Sequence, residues 1–209
     1  MALTVCIRSL LAPRRSGRAF GKSTGPRALT RRRCEMTILV SPLSKVMEII
    51  VNRAPERIVS LLDPDFAFPE SGPTYVGHHL RLHLHDVHIP TEGQVTPTAR
   101  HVDDLLAFLN LWTRTAPILI HCRAGIGRST ATAFITACLH NPKTDERKIA
   151  DTLRCASPLA RPNETLVRLA DDAMSRNGRM SEAITETGRG LLWTSIDENR
   201  PFEMPATFA

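Results

Sequence analysis

The segment from Pro117 to His140 constrains the fold of this chain more than any other part of it. It begins with the apolar run Pro-Ile-Leu-Ile, continues through a short loop with two glycines, and ends in a stretch of helical character from about Ser129. A short apolar run followed by a helix is typical of a buried strand in a parallel sheet. Glycines let backbone N–H groups turn inward and form an anion-binding nest. The segment therefore predicts a strand, an anion-binding loop and a helix, in that order.

Cys122 and Arg128 stand at the two ends of this loop, six positions apart. The loop amides and the N-terminus of the following helix place partial positive charge beside the Cys122 sulfur, which favours its thiolate. The planar guanidinium of Arg128 can bind two oxygens of one phosphate group. A thiolate, an anion cradle and a guanidinium fork together indicate attack on a phosphate ester.

The same segment resembles the signature of the protein tyrosine phosphatase superfamily, which is His-Cys, five residues, then Arg and Ser or Thr. Here it reads His121-Cys-Arg-Ala-Gly-Ile-Gly-Arg-Ser129, with both glycines present. The compact chain and its upstream His-Asp loop are similar to the small bacterial tyrosine/dual-specificity phosphatases. The resemblance implies a protein tyrosine phosphatase-like fold of dual-specificity size, and a reaction that needs no cofactor and no metal.

The resemblance also implies a role for each residue of the motif. Cys122 attacks phosphorus and forms a phosphocysteine intermediate. Ser129 hydrogen-bonds the sulfur and eases its departure in the second step, and His121 orders the loop from behind. The group that binds the phosphoryl oxygens comprises Arg128 and the backbone of Arg123, Ala124, Gly125, Ile126 and Gly127.

The superfamily takes its general acid from an aspartate on a mobile loop upstream of the cysteine. The resemblance assigns this role to Asp86, which lies 36 residues before Cys122, where a strand-like pattern gives way to a loop rich in Pro and Gly. The large tyrosine phosphatases have Trp-Pro-Asp at this point, whereas this chain has His85-Asp86. The alternative role for Asp86 is to cap a turn. Four other aspartates fit less well, because they lie within a helical pattern or much further upstream: Asp103, Asp104, Asp63 and Asp65.

Apolar runs alternate with helical patterns along the rest of the chain. The predicted strands are 37–40, 58–62, 80–87 and 117–120, and the predicted helices are 42–53, 98–114, 129–140, 144–155 and 164–176. This alternation predicts an α/β fold with a central, mainly parallel sheet flanked by helices. Residues 36–178 are the predicted phosphatase domain. Residues 179–209 show little periodicity and are expected to form a loosely packed C-terminal tail.

The first 35 residues differ in charge from all that follows. They carry eight Arg and one Lys against one Glu, whereas residues 36–209 hold 18 basic and 20 acidic residues. Three interpretations of this basic extension stay open: a transit peptide, a basic arm for an acidic partner, or a mis-annotated start with translation beginning at Met36. The near-neutral remainder does not favour a nucleic-acid partner.

Two groups of polar residues have open interpretations. Five histidines lie between 78 and 88, and on a strand His79, His83 and His85 share one face, as a metal site requires. No cysteine or carboxylate cluster accompanies them, so surface or loop-lining positions are favoured and no metal is predicted. Arg161 and Asn163 lie between two helical patterns, either in a polar loop beside the pocket or, for Asn163, as a helix cap.

The sequence thus predicts a cysteine-dependent phosphatase that acts on protein phosphotyrosine, with phosphoserine and phosphothreonine as further candidates. The loop lacks the lysines that inositol-lipid phosphatases place there, and the near-neutral body disfavours polyanionic substrates. The alternatives are a phosphatase of a phosphoinositide, nucleotide or RNA 5′ phosphate, and a catalytically weak phosphate-binding pseudo-enzyme.

The cysteine pattern and the hydropathy of the chain predict its cellular location. The five cysteines form no paired spacing, which favours free thiols in a reducing compartment. No apolar run reaches 18 residues, so no membrane span is expected. The expected location is cytoplasmic and the expected partner is a phosphorylated protein substrate, with the oligomeric state left open.

Overall fold

The structure, a computed structural model, describes residues 36–72, 75–188, 190 and 198–208. The strands are β1 Thr37–Pro42, β2 Arg57–Leu62, β3 His78–His83, β4 Ile118–Cys122 and β5 Phe202–Pro205. The helices are α1 Val46–Arg53, α2 Ala99–Asn110, α3 Arg128–His140, α4 Glu146–Ala156, α5 Glu164–Ala173 and α6 Arg179–Thr187, and a 3-10 turn at Leu43–Lys45 precedes α1.

The five strands form one sheet in the order β3-β2-β4-β1-β5. β2 is parallel to both β3 and β4, and β4 is parallel to β1. Only β5, which pairs with β1, is antiparallel among these strands. The carboxyl ends of four strands therefore meet at one edge, where β4 ends at Cys122, and open α/β sheets bind ligands at this edge. The predicted α/β fold with a mainly parallel sheet is confirmed.

The central strands are buried on both faces, which explains their nearly continuous apolar sequences. Alternate residues of each strand point to opposite sides of the sheet. On one side, α1 packs Val46 and Ile50 against Leu39, Ile58 and Leu119. The other side is the main core, where every residue of α3 from Arg128 to Cys138 is buried. The helix that follows the glycine-containing loop after β4 is thus held within the main core.

The predicted elements agree with the structure except at some ends. β3 stops at His83, four residues before the predicted end, because the alternation continues into a loop that leaves the sheet. α5 stops at Ala173 rather than at 176, and Gly178, with φ of 85°, directly precedes α6. Local periodicity does not reveal where tertiary contacts end an element.

The expectation of loose packing after residue 178 is wrong for the part that the structure describes. Met180 and Ala183 of α6 are buried, and β5 pairs with the edge of β1 and buries Met204. The sequence did not reveal β5 because four residues that include a proline carry almost no strand signal. The strand forms because β1 offers an open edge, which is a property of the sheet.

The described helices are short, the longest being α3 with 13 residues. A helix needs about 20 apolar residues to cross a bilayer. Within the described ranges, no helix has the length and apolarity for a membrane span.

Candidate active site

A pocket of about 930 Å³ opens at the carboxyl edge of the sheet. Its base is the loop between β4 and α3, which we call the phosphate loop (residues 122–128). Its walls come from the loop after β3, the turn before α5 and the end of α6. Residues that line it include Asp63, Asp86, His88, Cys122, Arg123, Arg128, Arg161, Glu164, Thr185 and Glu198.

Cys122 is the last residue of β4 and is only 1% exposed. Its sulfur lies 3.1 Å from the hydroxyl of Ser129 in the first turn of α3. The backbone N–H of Gly125 donates to the same sulfur at 3.2 Å. A thiolate can accept both hydrogen bonds, so these contacts stabilise negative charge on the sulfur.

The carbonyl groups within the phosphate loop, from residue 123 to residue 127, are hydrogen-bonded to the surrounding scaffold. Each of the five from residue 123 to residue 127 accepts a hydrogen bond with an N···O distance between 2.8 and 3.0 Å. Four bonds come from main-chain N–H groups and one from the side chain of Asn199. The donor and acceptor pairs are Leu43 to Arg123, Asn199 to Ala124, the Asn199 side chain to Gly125, Arg161 to Ile126, and Ala131 to Gly127.

These anchored carbonyls determine where the amides of the loop point. In a trans peptide the N–H points away from the carbonyl of the same peptide plane. The N–H groups of residues 124–128 are therefore turned toward the side of the loop where Cys122 lies, and the Gly125 amide shows this directly by its bond to the sulfur. Five amides and the N-terminus of α3 form a cradle for an anion.

Each glycine of the loop has a separate steric reason. Gly125 has φ of +73°, and a Cβ there would lie 2.9 Å from the backbone nitrogen of Pro42 at the end of β1. Gly127 has an ordinary φ of −99°, but a Cβ there would overlap the carboxylate of Asp86. Gly127 therefore allows the loop after β3 to approach the phosphate loop.

Arg128 is 4% exposed and is held by one end of its guanidinium. Its Nη1 donates to Asp63 Oδ1 at 2.9 Å and to the carbonyl of Leu84 at 2.5 Å. Its Nε is buried and has no hydrogen-bond partner among the described residues. A buried donor without a partner is costly, and a bound phosphate oxygen would satisfy it.

Asp63 is a site residue that the sequence interpretation set aside because of its distance from Cys122. It follows β2 at the carboxyl edge of the sheet, lines the pocket and forms the ion pair with Arg128. The available signal was its position directly after a predicted strand, since the carboxyl ends of parallel strands meet at one edge. Its carboxylate orients Arg128 and offsets part of its charge.

Asp86 lies in the loop after β3 and lines the pocket beside Gly127. The side-chain amide of Asn163 donates to Asp86 Oδ1 at 2.8 Å and to the carbonyl of Val87 at 3.2 Å. Asn163 is fully buried, and its own oxygen accepts from the N–H of Leu166, so it also caps α5. Asn163 is therefore both a helix cap and part of the polar loop beside the pocket. The structure also brings Asp86 and the phosphate loop together.

The sequence model of the protein-tyrosine phosphatase family matches residues 77–167, which include Asp86 and the whole phosphate loop. The chain resembles the protein tyrosine phosphatase superfamily. No curated protein matches the chain in sequence.

Three solved structures show how far the likeness to superfamily folds extends. The human tyrosine phosphatase-like serine/threonine/tyrosine-interacting protein has a TM-score of 0.51 at 15% identity, over 66% of this chain and 91% of that one. The Yvh1 phosphatase domain from Chaetomium thermophilum has a TM-score of 0.51 at 17% identity, over 70% and 94%. PTPMT1 in complex with PI(5)P has a TM-score of 0.50 at 14% identity, over 70% and 97%. At these identities the likeness shows a dual-specificity phosphatase fold.

His121, the first residue of the superfamily motif, is fully buried behind the phosphate loop. Its Nε2 lies 2.5 Å from the hydroxyl of Ser60, which lies 2.7 Å from Nε2 of His79. Burial, together with the charge of Arg128, lowers the pKa of His121 to about 4, although a hydrogen bond with the backbone of Cys122 acts in the opposite direction. Burial, with the charges of Arg81 and His121, also lowers the pKa of His79 to about 4. Both rings are therefore neutral near pH 7, and Ser60 donates to one and accepts from the other.

The other histidines of the predicted cluster contact different protein groups. His83 packs against the ring of Phe68 with 4.3 Å between the ring centroids. The Nδ1 of His85 accepts from the N–H of Val95 at 2.8 Å. Among the described residues, no three His, Cys, Asp or Glu side chains are grouped as a metal site requires.

Arg123 is exposed at the mouth of the pocket, with its guanidinium 4.9 Å from the centre of the Phe66 ring. A cation over an aromatic face is attracted by the ring quadrupole. The contact holds the Arg123 side chain against Phe66 in the segment after β2, while its backbone carbonyl accepts from the N–H of Leu43.

Proposed function

We propose that this protein is a cysteine-dependent phosphatase that hydrolyses phosphomonoesters, with protein phosphotyrosine as its preferred substrate. One observation carries the proposal. The sulfur of Cys122 receives a backbone hydrogen bond and lies beside the Ser129 hydroxyl, at the base of a pocket that Arg128 also lines. This geometry suits a nucleophile that attacks an anion already bound by amides.

The reaction has two steps. The Cys122 thiolate attacks phosphorus while the amides of residues 124–128 and Arg128 bind the equatorial oxygens, and Asp86 donates a proton to the leaving oxygen. Water then attacks the phosphocysteine, and Asp86 takes a proton from this water. The hydrogen bond from Ser129 stabilises the departing sulfur as a thiolate, which regenerates the enzyme.

The charges around the pocket support a substrate with a single phosphate. The described lining includes the guanidinium groups of three arginines and the carboxylates of four acidic residues. A ligand with several phosphates would therefore meet more carboxylates than arginines. The acidic residues are Asp63, Asp86, Glu164 and Glu198, and the arginines are Arg123, Arg128 and Arg161.

The test is hydrolysis of p-nitrophenyl phosphate by the full chain in the presence of EDTA. We expect activity that EDTA does not change and that Cys122→Ser reduces on the order of 10³-fold or more, because the nucleophile is lost. Cys155→Ser is the control, since Cys155 is exposed and does not line the pocket. Folded protein without activity would favour the pseudo-enzyme, and activity that EDTA abolishes would indicate a metal-dependent site.

The substrate class is tested by comparing kcat/KM on a phosphotyrosine peptide, the matching phosphoserine peptide and a phosphoinositide. PI(5)P is a suitable comparator because a structure with the same fold is described as its complex. Preference for the phosphotyrosine peptide supports the proposal. A higher value on the phosphoinositide would reassign the substrate while leaving the cysteine chemistry in place.

A further inference from the structure

A short C-terminal segment, residues 198–208, contacts the phosphate loop although it lies far outside the sequence that matches the phosphatase family. The family match ends at residue 167. Glu198 lines the pocket and its carboxylate accepts from the Ser44 hydroxyl at 2.5 Å. The next residue, Asn199, is 7% exposed and lies against the rear of the loop. Neither residue belongs to the motif that identifies the site.

Asn199 bonds two consecutive carbonyls of the phosphate loop. Its backbone N–H donates to the carbonyl of Ala124 at 2.8 Å, and its side-chain amide donates to the carbonyl of Gly125 at 2.9 Å. The same amide nitrogen also donates to the hydroxyl of Ser157 at 2.8 Å, where α4 ends. The side chain thus joins the phosphate loop to the scaffold behind it.

These two carbonyls belong to the peptide planes whose N–H groups are those of Gly125 and Ile126. Because the N–H of a trans peptide points opposite to its carbonyl, anchoring the carbonyls of Ala124 and Gly125 directs these two amides toward Cys122. The Gly125 amide is the one that donates to the sulfur. Glycine at 125 leaves this part of the backbone with little intrinsic conformational preference, so external bonds must hold it.

The segment that carries Asn199 is itself held to the sheet. β5 begins three residues later and pairs with β1, which is the neighbour of the strand that ends at Cys122. Past β5, the N–H of Ala206 donates to the carbonyl of Met36 at 3.0 Å. The segment that carries Asn199 is therefore held by its pairing with β1 and not by the phosphate loop.

We infer that Asn199 is a positioning residue for oxyanion binding, so that the C-terminal segment is part of the phosphate site. This inference rests on the proposed function. Asn199 does not touch the phosphate, but it aligns the amides of Gly125 and Ile126 that do. Loss of its side chain removes the bond to the carbonyl of Gly125 and frees the peptide plane between Gly125 and Ile126. The cradle must then be ordered when the anion binds, at a cost in affinity.

The test is the affinity of the full chain for tungstate, a dianion with the shape of phosphate, measured by calorimetry. We expect Asn199→Ala and the milder Asn199→Ser to raise the Kd by about tenfold, equivalent to about 1.4 kcal/mol. Asn141→Ala is the matched control. Asn141 is also 7% exposed, and its amide donates to Ala137 and to Ala206 of the same C-terminal segment, away from the phosphate loop.

Both asparagine variants should lower the Tm, since each loses buried hydrogen bonds. Only the Asn199 variants should change the Kd for tungstate, and Asn141→Ala should leave it within about twofold. Asn199 variants that bind tungstate like the wild type would overturn the inference while the proposed function stands. Wild-type protein that does not bind tungstate would overturn both the inference and the proposed function. If Asn199→Ala weakens tungstate binding but the wild-type protein hydrolyses no phosphoester, the positioning role of Asn199 is retained and the catalytic function is rejected.

Discussion

The phosphate loop and the loop that carries Asp86 line one pocket side by side, yet they are built differently. In the phosphate loop, every carbonyl from residue 123 to residue 127 is bonded to the scaffold. In the loop after β3, residues 88–94 are exposed. The loop is held to α5 by a hydrogen bond from the Thr165 hydroxyl to the carbonyl of His88, and the carboxylate of Asp86 accepts from the side-chain amide of Asn163. The cradle is thus rigidly preorganised, whereas Asp86, the proposed general acid, depends on few contacts.

This difference has a chemical reason. Amides that stabilise charge in a transition state act best when they need no reorganisation during the reaction. A general acid must instead reach the leaving oxygen of substrates that differ in shape. Two hydrogen bonds between His85 and Val95 join the two ends of the loop that carries Asp86, so that this loop can adjust without disturbing the sheet. Substitutions on the two sides should therefore differ in their dependence on the leaving group.

The largest effect is expected from Asp86→Asn, which keeps the shape of the side chain but has no proton to donate. The rate on phenyl phosphate, whose leaving group is poor, should fall on the order of 10²–10⁴-fold. The rate on p-nitrophenyl phosphate should fall much less, because its leaving group departs without a proton. Steady-state kinetics on both esters measure this ratio. An unchanged rate on phenyl phosphate, or on a phosphotyrosine peptide, would show that another residue is the acid.

Arg128→Lys should lower kcat/KM by about 10²–10³-fold, and by the same factor on both esters. Lysine keeps the charge but loses the planar fork, including the Nε donor that has no protein partner. A loss confined to phenyl phosphate would contradict the separation between cradle and acid. Arg168→Lys is the control, because Arg168 is exposed on α5 and pairs only with Asp172 among the described contacts.

The smallest effect is expected from Asn163→Ser. Serine can still cap α5 by accepting from Leu166, but it is too short to reach Asp86. Asp86 therefore loses a partner without loss of the helix cap. The rate on phenyl phosphate should fall by about tenfold and that on p-nitrophenyl phosphate by less than about twofold. Circular dichroism and Tm check the fold, and equal losses on both esters would assign Asn163 a structural role alone.

Much of the site could be predicted because its chemistry is local. Cys122, the loop amides, Arg128 and Ser129 lie within eight consecutive residues, between a strand and a helix that their own periodicity predicts. Asp86 was assigned through the family resemblance, and the structure places it in the same pocket. Its role as the acid stays a prediction.

The remaining parts of the site depend on contacts between distant positions. Asp63 reaches Arg128 across 65 positions, Asn163 reaches Asp86 across 77, and Asn199 reaches Gly125 across 74. An isolated Asp or Asn carries no periodic signal, so none of these pairings is visible before the chain folds. No sequence pattern predicts that the buried Ser60 hydrogen-bonds both His79 and His121.

The sequence by itself therefore determined the phosphate loop, the strand and helix that flank it, and the α/β class, because each follows from residues close together in the chain. Tertiary structure alone decided which side chains hold that loop, orient Arg128 and support Asp86. It also decided that the C-terminal segment joins the site, because β5 forms only where the open edge of β1 can accept it. Short-range pattern specifies the elements, and sheet order specifies which of their ends meet.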